Sequence, residues 1–297
     1  MAKKLVLILM YNLKMIKKVK KFTQAPLPFQ GQKRRFLKQF KEALNSFKTD
    51  AIYVDLFGGS GLLAHTVKQQ YPNARVIWND YDNYAARLEA IPQTNILLAG
   101  LRPIVHGLSK NERLPLSLRP NVLGVVKQHE DLYGFVDYVS LSASLLFSGN
   151  YATNFEEFEK ETFYNCVRTA DFDATGYLEG VERVQGDYRK LYNQHQQADV
   201  VFLVDPPYLS TDTKTYKSES YWKLRDYLDV LNVLDDSNYF YFTSNKSQIV
   251  ELCEWIETRT HVGNPFAGAT INTTGGSVNY NSGYTDIMLY KNKESPD

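Results

Sequence analysis

The chain has 297 residues, with 34 Lys and Arg against 33 Asp and Glu and a formal net charge of +1. That length holds one large domain or two modest ones, and the near-neutral balance means that any polyanion must be met by local patches. Two distant cysteines, Cys166 and Cys253, exclude a Cys-x-x-Cys metal or redox motif and point to a reducing, cytoplasmic compartment, and no apolar stretch is long enough to span a membrane.

Residues 1–24 read as a basic arm. Lys3 and Lys4 precede a short apolar run, and Lys14, Lys17, Lys18, Lys20 and Lys21 follow it at once. The run is too short for a signal peptide. The alternatives are a loose basic leader or a start placed upstream of Met15. Pro26, Pro28 and Gly31 make a loop, and a helix is expected from about 32 to 47. Phe36, Phe40, Leu44 and Phe47 form its apolar stripe. Lys33, Arg34 and Lys38 lie near its start, either facing phosphate or a carboxylate or forming a solvated cationic face.

A strand, Ala51-Ile52-Tyr53-Val54-Asp55-Leu56, then runs into Phe57-Gly58-Gly59-Ser60-Gly61 and a helix from Leu62. Glycines let the backbone approach a ligand with no Cβ in the way. The spacing differs from the G-x-G-x-x-G dinucleotide fingerprint, and no phosphate-loop Gly-Lys-Ser/Thr follows. A second strand, Arg75-Val76-Ile77-Trp78, ends in Asn79-Asp80. An acid at that point commonly takes the ribose hydroxyls of an adenosine. It can equally cap a helix from Asp82. The order of glycine turn and strand-end acid favours the ribose.

From about 84 to 180 the βα rhythm stops. Helices are expected around 122–130 and 154–167, with a strand-like segment at 134–146 between them. Acids outnumber bases here, among them Glu156, Glu157, Glu159, Glu161, Asp171 and Asp173. This stretch reads as a lobe inserted into a domain made of 25–83 and 181–297. Ser148-Gly149-Asn150-Tyr151 and residues 110–119 are its best polar surfaces.

The rhythm returns in a strand ending in Gly186-Asp187-Tyr188. Asp187 either accepts from an adenine amine, with Tyr188 stacked beside it, or caps a helix from Tyr188. Next, Val200-Val201-Phe202-Leu203-Val204 reads as a strand buried on both faces. Asp205-Pro206-Pro207-Tyr208 stops it, because neither proline donates to a ladder. An acid, two fixed backbone units and a ring at the carboxyl end of a buried strand fit methylation of an exocyclic amine. The carboxylate accepts one amine hydrogen and a rigid carbonyl the other, which localises the nitrogen lone pair. The ring stacks on the base, a contact worth roughly 1–3 kcal/mol. The plain alternative is a turn after a core strand, with Tyr208 as filler. Residues 209–220, with Lys214, Tyr216 and Lys217, read as a mobile loop able to close over a base. A helix near 221–234, a strand at 239–242, a helix near 247–257, a hairpin or loop from 263 to 283 and a last strand at 284–290 complete the chain.

In this order the pieces resemble the Dam-like family of adenine-specific DNA methyltransferases. The resemblance rests on Pro28-Phe29-Gln30-Gly31-Gln32-Lys33, Asp55-Leu56-Phe57-Gly58-Gly59-Ser60-Gly61, Asn79-Asp80 and Asp205-Pro206-Pro207-Tyr208. It implies an α/β, Rossmann-like S-adenosylmethionine-dependent methyltransferase fold: a mixed seven-stranded sheet with an inserted, mainly helical target-recognition lobe. It implies S-adenosylmethionine as donor, DNA as partner and no metal. By position, Gln30, Gly31 and Lys33 would lie near the methionine end of the cofactor. Asp55, Phe57, Gly58, Gly59 and Gly61 would line its backbone pocket. Asp80 would take the ribose, and Asp187 and Tyr188 the adenine. Asp205, Pro206, Pro207 and Tyr208 would hold the target amine, and Lys33, Arg34, Lys214 and Lys217 would meet phosphates. Gln30 and Gln32 depart from the aromatic residue and glycine of many members, and the lobe is acidic. The sequence leaves open RNA as acceptor, a non-catalytic binding module, the target site, a restriction-nuclease partner and the oligomeric state.

Overall fold

The computed structural model describes residues 21–147, 149–197, 199–208, 222–259, 263–279 and 282–293. Of the arm expected at 1–24, residues 1–20 lie outside them, as do Ser148 and the loop carrying Lys214 and Lys217; the end of that arm is packed rather than loose, since Phe22 is buried against His65 and Tyr177.

The sheet has seven strands: β1 (Ile52–Asp55), β2 (Arg75–Asn79), β3 (Glu182–Val184), β4 (Val200–Val204), β5 (Asn238–Ser244), β6 (Thr270–Asn279) and β7 (Ser282–Lys291). Their order is β3-β2-β1-β4-β5-β7-β6. β7 runs antiparallel to β5 and forms a hairpin with β6, and the other pairings are parallel. This is the expected Rossmann-like mixed sheet.

Side chains alternate between faces along a strand, so each central strand feeds two cores. Tyr53, Val201, Leu203, Phe240 and Phe242 enter one, and Val54, Phe202, Val204, Tyr239 and Tyr241 the other. The first core takes Phe36, Phe40, Leu44 and Phe47, the stripe expected near residue 40, which meets Phe240 and Phe242 mostly edge-on. That stripe begins in a short 3-10 turn, Arg34–Phe36, and continues as the helix Leu37–Leu44. The second core is covered by the helices Tyr188–Gln194, Leu224–Leu231 and Ile249–Arg259.

The inserted region is the crossover between β2 and β3. Helices Tyr84–Glu89, Ile91–Leu101, Arg119–Tyr133, Tyr138–Leu145 and Phe155–Phe158 make it mainly helical. It shares the first core, since Phe158, Phe163, Phe172 and Tyr177 join the cluster of Tyr53 and Phe36. Two expectations inside it fail. The strand-like 134–146 is a turn followed by a helix, because Asp137 caps Ser140 N and buried Ser140, Ser142 and Ser144 let the helix pack closely. Of the expected helix 154–167 only its first turn forms. Beyond it the backbone bonds elsewhere: Tyr164 N donates to Leu145 O at 2.7 Å, and Leu114 N donates to Phe163 O at 2.9 Å. Among the described residues no helix is long and apolar enough to cross a membrane.

Candidate active site

Strand order reverses between β1 and β4: β1 leads outward to β2, and β4 leads the other way to β5. Such a switch point opens a crevice at the carboxyl ends of the strands. Asp55 closes β1 and pairs in register with Leu203, so Asp205 lies just beyond on β4. Lys33 reaches in from the loop before the first helix. Its Nζ lies 2.5 Å from Asp205 Oδ2, with side chains 8% and 17% exposed. Lys33 also donates to Gly31 O at 2.7 Å and stands 5.2 Å from the Tyr208 ring centroid. Burial pushes the Asp205 carboxyl up to about 6, although Lys33 pulls it down. Burial, reinforced by Asp205, pushes Asp55 up to about 8, so it is uncharged at neutral pH.

Two cavities meet here. One, of about 250 Å³, is lined by Leu56–Ser60, Asn79, Tyr81, Asp82, Gly186–Arg189, Pro207, Trp222 and Asp226. The other, of about 470 Å³, is lined by Pro206, Tyr208, Tyr151, Ser244, Tyr284 and Asp286, with Arg34, Arg35 and Lys246 among its walls. Phe29–Lys33 and Asp205 line both, and so form the partition. The first cavity is a slot with an aromatic end. Phe57 and Tyr188 lie 4.8 Å apart between ring centroids, and Tyr188 and Trp222 lie 6.1 Å apart and nearly parallel. Carboxylates rim it at Asp82, Asp187 and Asp226. The second cavity is lined by the rings of Tyr151, Tyr208 and Tyr284, the carboxylates of Asp205 and Asp286, and several cations. Burial raises the Asp286 carboxyl there, against the pull of Lys33 and Arg35.

The glycine turn works by conformation. Gly59 has φ +47°, and a Cβ on it would stand 2.9 Å from the Phe29 ring. Gly61 has φ +76° and starts the helix Leu62–Gln70. Asn79 ties three strand ends together: its Nδ2 donates to Leu56 O and Gly186 O, and its Oδ1 accepts from Gly186 N.

Gln30, Gly31, Lys33, Phe57, Gly58, Gly59, Asp187 and Tyr188 all line the first cavity. Asp187 also caps its helix, accepting from Arg189 N at 2.8 Å. The other residues expected at the cofactor lie elsewhere. Asp80 does not line the cavity. Its carboxylate accepts from Tyr84 N at 2.5 Å and Ala85 N at 3.1 Å, at the start of the helix Tyr84–Glu89, and from Arg183 Nε at 2.8 Å, and the acid that lines the cavity is Asp82. Asp55 is 1% exposed and packed beneath the turn, and Gly61 shapes the turn without lining the slot. Lys33 pairs with Asp205, the carboxylate option of the two that its cluster allowed, and is largely buried. Arg34 does line the second cavity. Tyr151, from the polar surface expected at 148–151, lines the second cavity, whereas the sequence did not single out Asp82, Trp222, Arg35, Lys246, Tyr284 or Asp286. A charged residue just past a strand end was the available signal for Asp82 after β2 and Lys246 after β5.

The apolar aromatic slot, the close-approach glycine and the rim carboxylates suit a nucleoside bearing hydroxyls and amines. Residues 29–98 match the family described as D12 class N6 adenine-specific DNA methyltransferase. A Haemophilus influenzae protein whose name calls it a methyltransferase only provisionally is 38% identical over 280 residues, which span 92% of this chain and 93% of that protein. Among solved structures, a precorrin-6y C5,15-methyltransferase from Geobacter metallireducens aligns with 8% identity and a TM-score of 0.36, over 92% of this chain and 100% of that one.

Proposed function

The chain belongs to the Dam-like family of D12 class N6 adenine-specific DNA methyltransferases, and from that premise we propose that it moves a methyl group from S-adenosylmethionine to the exocyclic N6 amine of an adenine in DNA. The observation that carries this reading is the shared wall: Asp205 belongs to both cavities, so one carboxylate addresses donor and acceptor together.

S-adenosylmethionine, when bound, supplies an electrophilic methyl group on a sulfonium. The chain's own residues do the rest. Phe57, Tyr188 and Trp222 offer faces for its adenine, and Asp82 offers acceptors for its ribose. The target base would leave the DNA stack at a cost of a few kcal/mol and enter the second cavity. There Tyr208 stacks on it. Lys33 holds Asp205 by Oδ2, which leaves Oδ1 for one amine hydrogen, and the Pro206 carbonyl takes the other. Withdrawing both hydrogens frees the nitrogen lone pair to attack, and Asp205 is the nearby base for the proton released. Positioning in a desolvated site supplies most of the acceleration. Arg34, Arg35 and Lys246 line this cavity and would meet the phosphates flanking a flipped nucleotide.

The test is transfer of labelled methyl from S-adenosylmethionine to DNA and, in parallel, to RNA. DNA should be labelled at adenine, and Asp205→Ala should abolish labelling while calorimetry still detects cofactor binding. Label confined to RNA would replace the acceptor, and full activity of Asp205→Ala would remove the mechanism.

A further inference from the structure

The partition between the two cavities, Phe29–Lys33, has no regular secondary structure; beyond its own bonds from Gln32 to Phe29 O and from Lys33 to Gly31 O, it is held from outside. The helix Tyr84–Glu89 supplies two anchors. The Tyr84 hydroxyl accepts from Leu27 N at 3.1 Å and donates to Leu27 O at 3.2 Å, and its ring meets Phe29 edge-on at 5.6 Å. Nearly one turn further on, Arg87 Nη2 donates to Pro28 O at 2.8 Å. The other side of the same guanidinium faces the inserted lobe. Arg87 Nε pairs with Asp137 Oδ1 at 2.9 Å, with side chains 14% and 1% exposed. Asp137 in turn caps the helix Tyr138–Leu145 and accepts from Ser140 Oγ at 2.6 Å. Arg87 also acts electrostatically on Tyr151, which lines the acceptor cavity. A guanidinium is a rigid planar fork, so a shift at one edge is passed to the other.

We propose that Arg87 is a positioning residue that seats the partition on the inserted lobe and thereby sets the approach of Lys33 to Asp205. The inference rests on the acceptor role given to Asp205 above and adds what controls it: contacts made by the lobe reach the reacting carboxylate through Arg87, Pro28 and Lys33. The groups facing Asp205 are Lys33 from the loop, Asp55 on β1, Asp286 on β7 and Tyr241 on β5, with Tyr208 beside it and Arg35 and Lys246 across the cavity. Among the described residues Lys33 is its ion-pair partner. Movement of the partition therefore reads out as a change in Asp205 titration.

The experiment is a carbon-detected NMR titration of the full chain, with the Asp205 signal assigned by its loss in Asp205→Asn. Lys33→Met should raise the midpoint by about 1 pH unit or more, and Arg87→Met by about half as much. Arg87→Lys, which keeps a donor for Pro28 O, should restore part of the wild-type value. Asp137→Asn keeps a capping oxygen but drops the charge, and should shift the midpoint in the same direction as Arg87→Met. In the Lys33→Met background Arg87→Met should add nothing, because the coupling runs through Lys33. An unchanged midpoint in folded Asp137→Asn and Arg87→Met, or an Arg87 effect that persists without Lys33, overturns the proposal. If Arg87→Met does not fold, Arg87→Lys and Asp137→Asn carry the same test. The titration needs no substrate, so failure of wild type to methylate nucleic acid would overturn the proposed function and leave this result readable.

Discussion

Lys33→Met isolates the ion pair that keeps Asp205 ionised. Methionine retains most of the aliphatic stem and deletes the ammonium. In the wild type the Nζ–Oδ2 distance is 2.5 Å, both groups are largely buried, and the carboxyl stands at about 6 with Lys33 pulling it down. An opposite charge at such range lowers a carboxyl by about 1–3 pH units, so removing it should bring Asp205 to about 8. The ionised fraction at pH 7 then falls from about 0.9 to about 0.1, a loss of roughly tenfold in rate. The form that accepts an amine hydrogen is the carboxylate. Activity therefore rises with pH through the carboxyl midpoint in both proteins, and the variant's rising limb lies about two pH units further toward alkali. The assay is kcat/KM for labelled methyl transfer from pH 5 to 9.5, with cofactor affinity measured separately at each end. Recovery of the variant near pH 9 is the expected result. Superimposable profiles, or a uniform loss at every pH, would refute the argument that Lys33 acts through ionisation.

Asp55 is buried and protonated up to about pH 8, whereas an unfolded carboxyl ionises near 4. The folded state binds the extra proton between those values, so its stability falls as pH rises from about 4 to 8 and levels beyond. Asp55→Asn should remove that slope, and melting curves should show a larger gain in Tm at pH 8 than at pH 5; equal changes would contradict a raised Asp55. Asp80→Ala should cost roughly 1.5–3 kcal/mol of stability through its lost charged hydrogen bonds. Asp82→Asn should leave Tm close to wild type and weaken S-adenosylmethionine in calorimetry, and the reverse pattern would return the ribose to Asp80. DNA affinity should fall steeply with salt, with Arg35→Ala and Lys246→Ala each reducing the log–log slope by about 1. Unchanged slopes would move the phosphate track elsewhere.

Local chemistry made much of this protein legible in one dimension. The apolar runs that became β1, β4 and β5 were readable because a strand buried on both faces needs no partner to declare itself. The glycine turn and the stop at Asp205-Pro206-Pro207-Tyr208 were readable because positive φ and missing amide donors are properties of single residues. The phenylalanine stripe of the helix Leu37–Leu44 was readable from its period. Tertiary structure decided what depended on distant partners. Asp80 and Asp82 are equivalent acids in sequence, and only the amides of Tyr84 and Ala85 and the guanidinium of Arg183 turn one inward and leave the other on the rim. For Lys33 the sequence allowed a phosphate, a carboxylate or solvent, and β4 decides among them by bringing Asp205 to it. Residues 134–146 read as strand-like by pattern, and the Asp137 cap and the buried serines make them a turn and a helix instead. The acceptor cavity combines Tyr151 from the lobe with Tyr284 and Asp286 from the last strand, which no spacing along the chain relates. A sequence records which groups can form a bond, and the fold decides which of them finds its partner first.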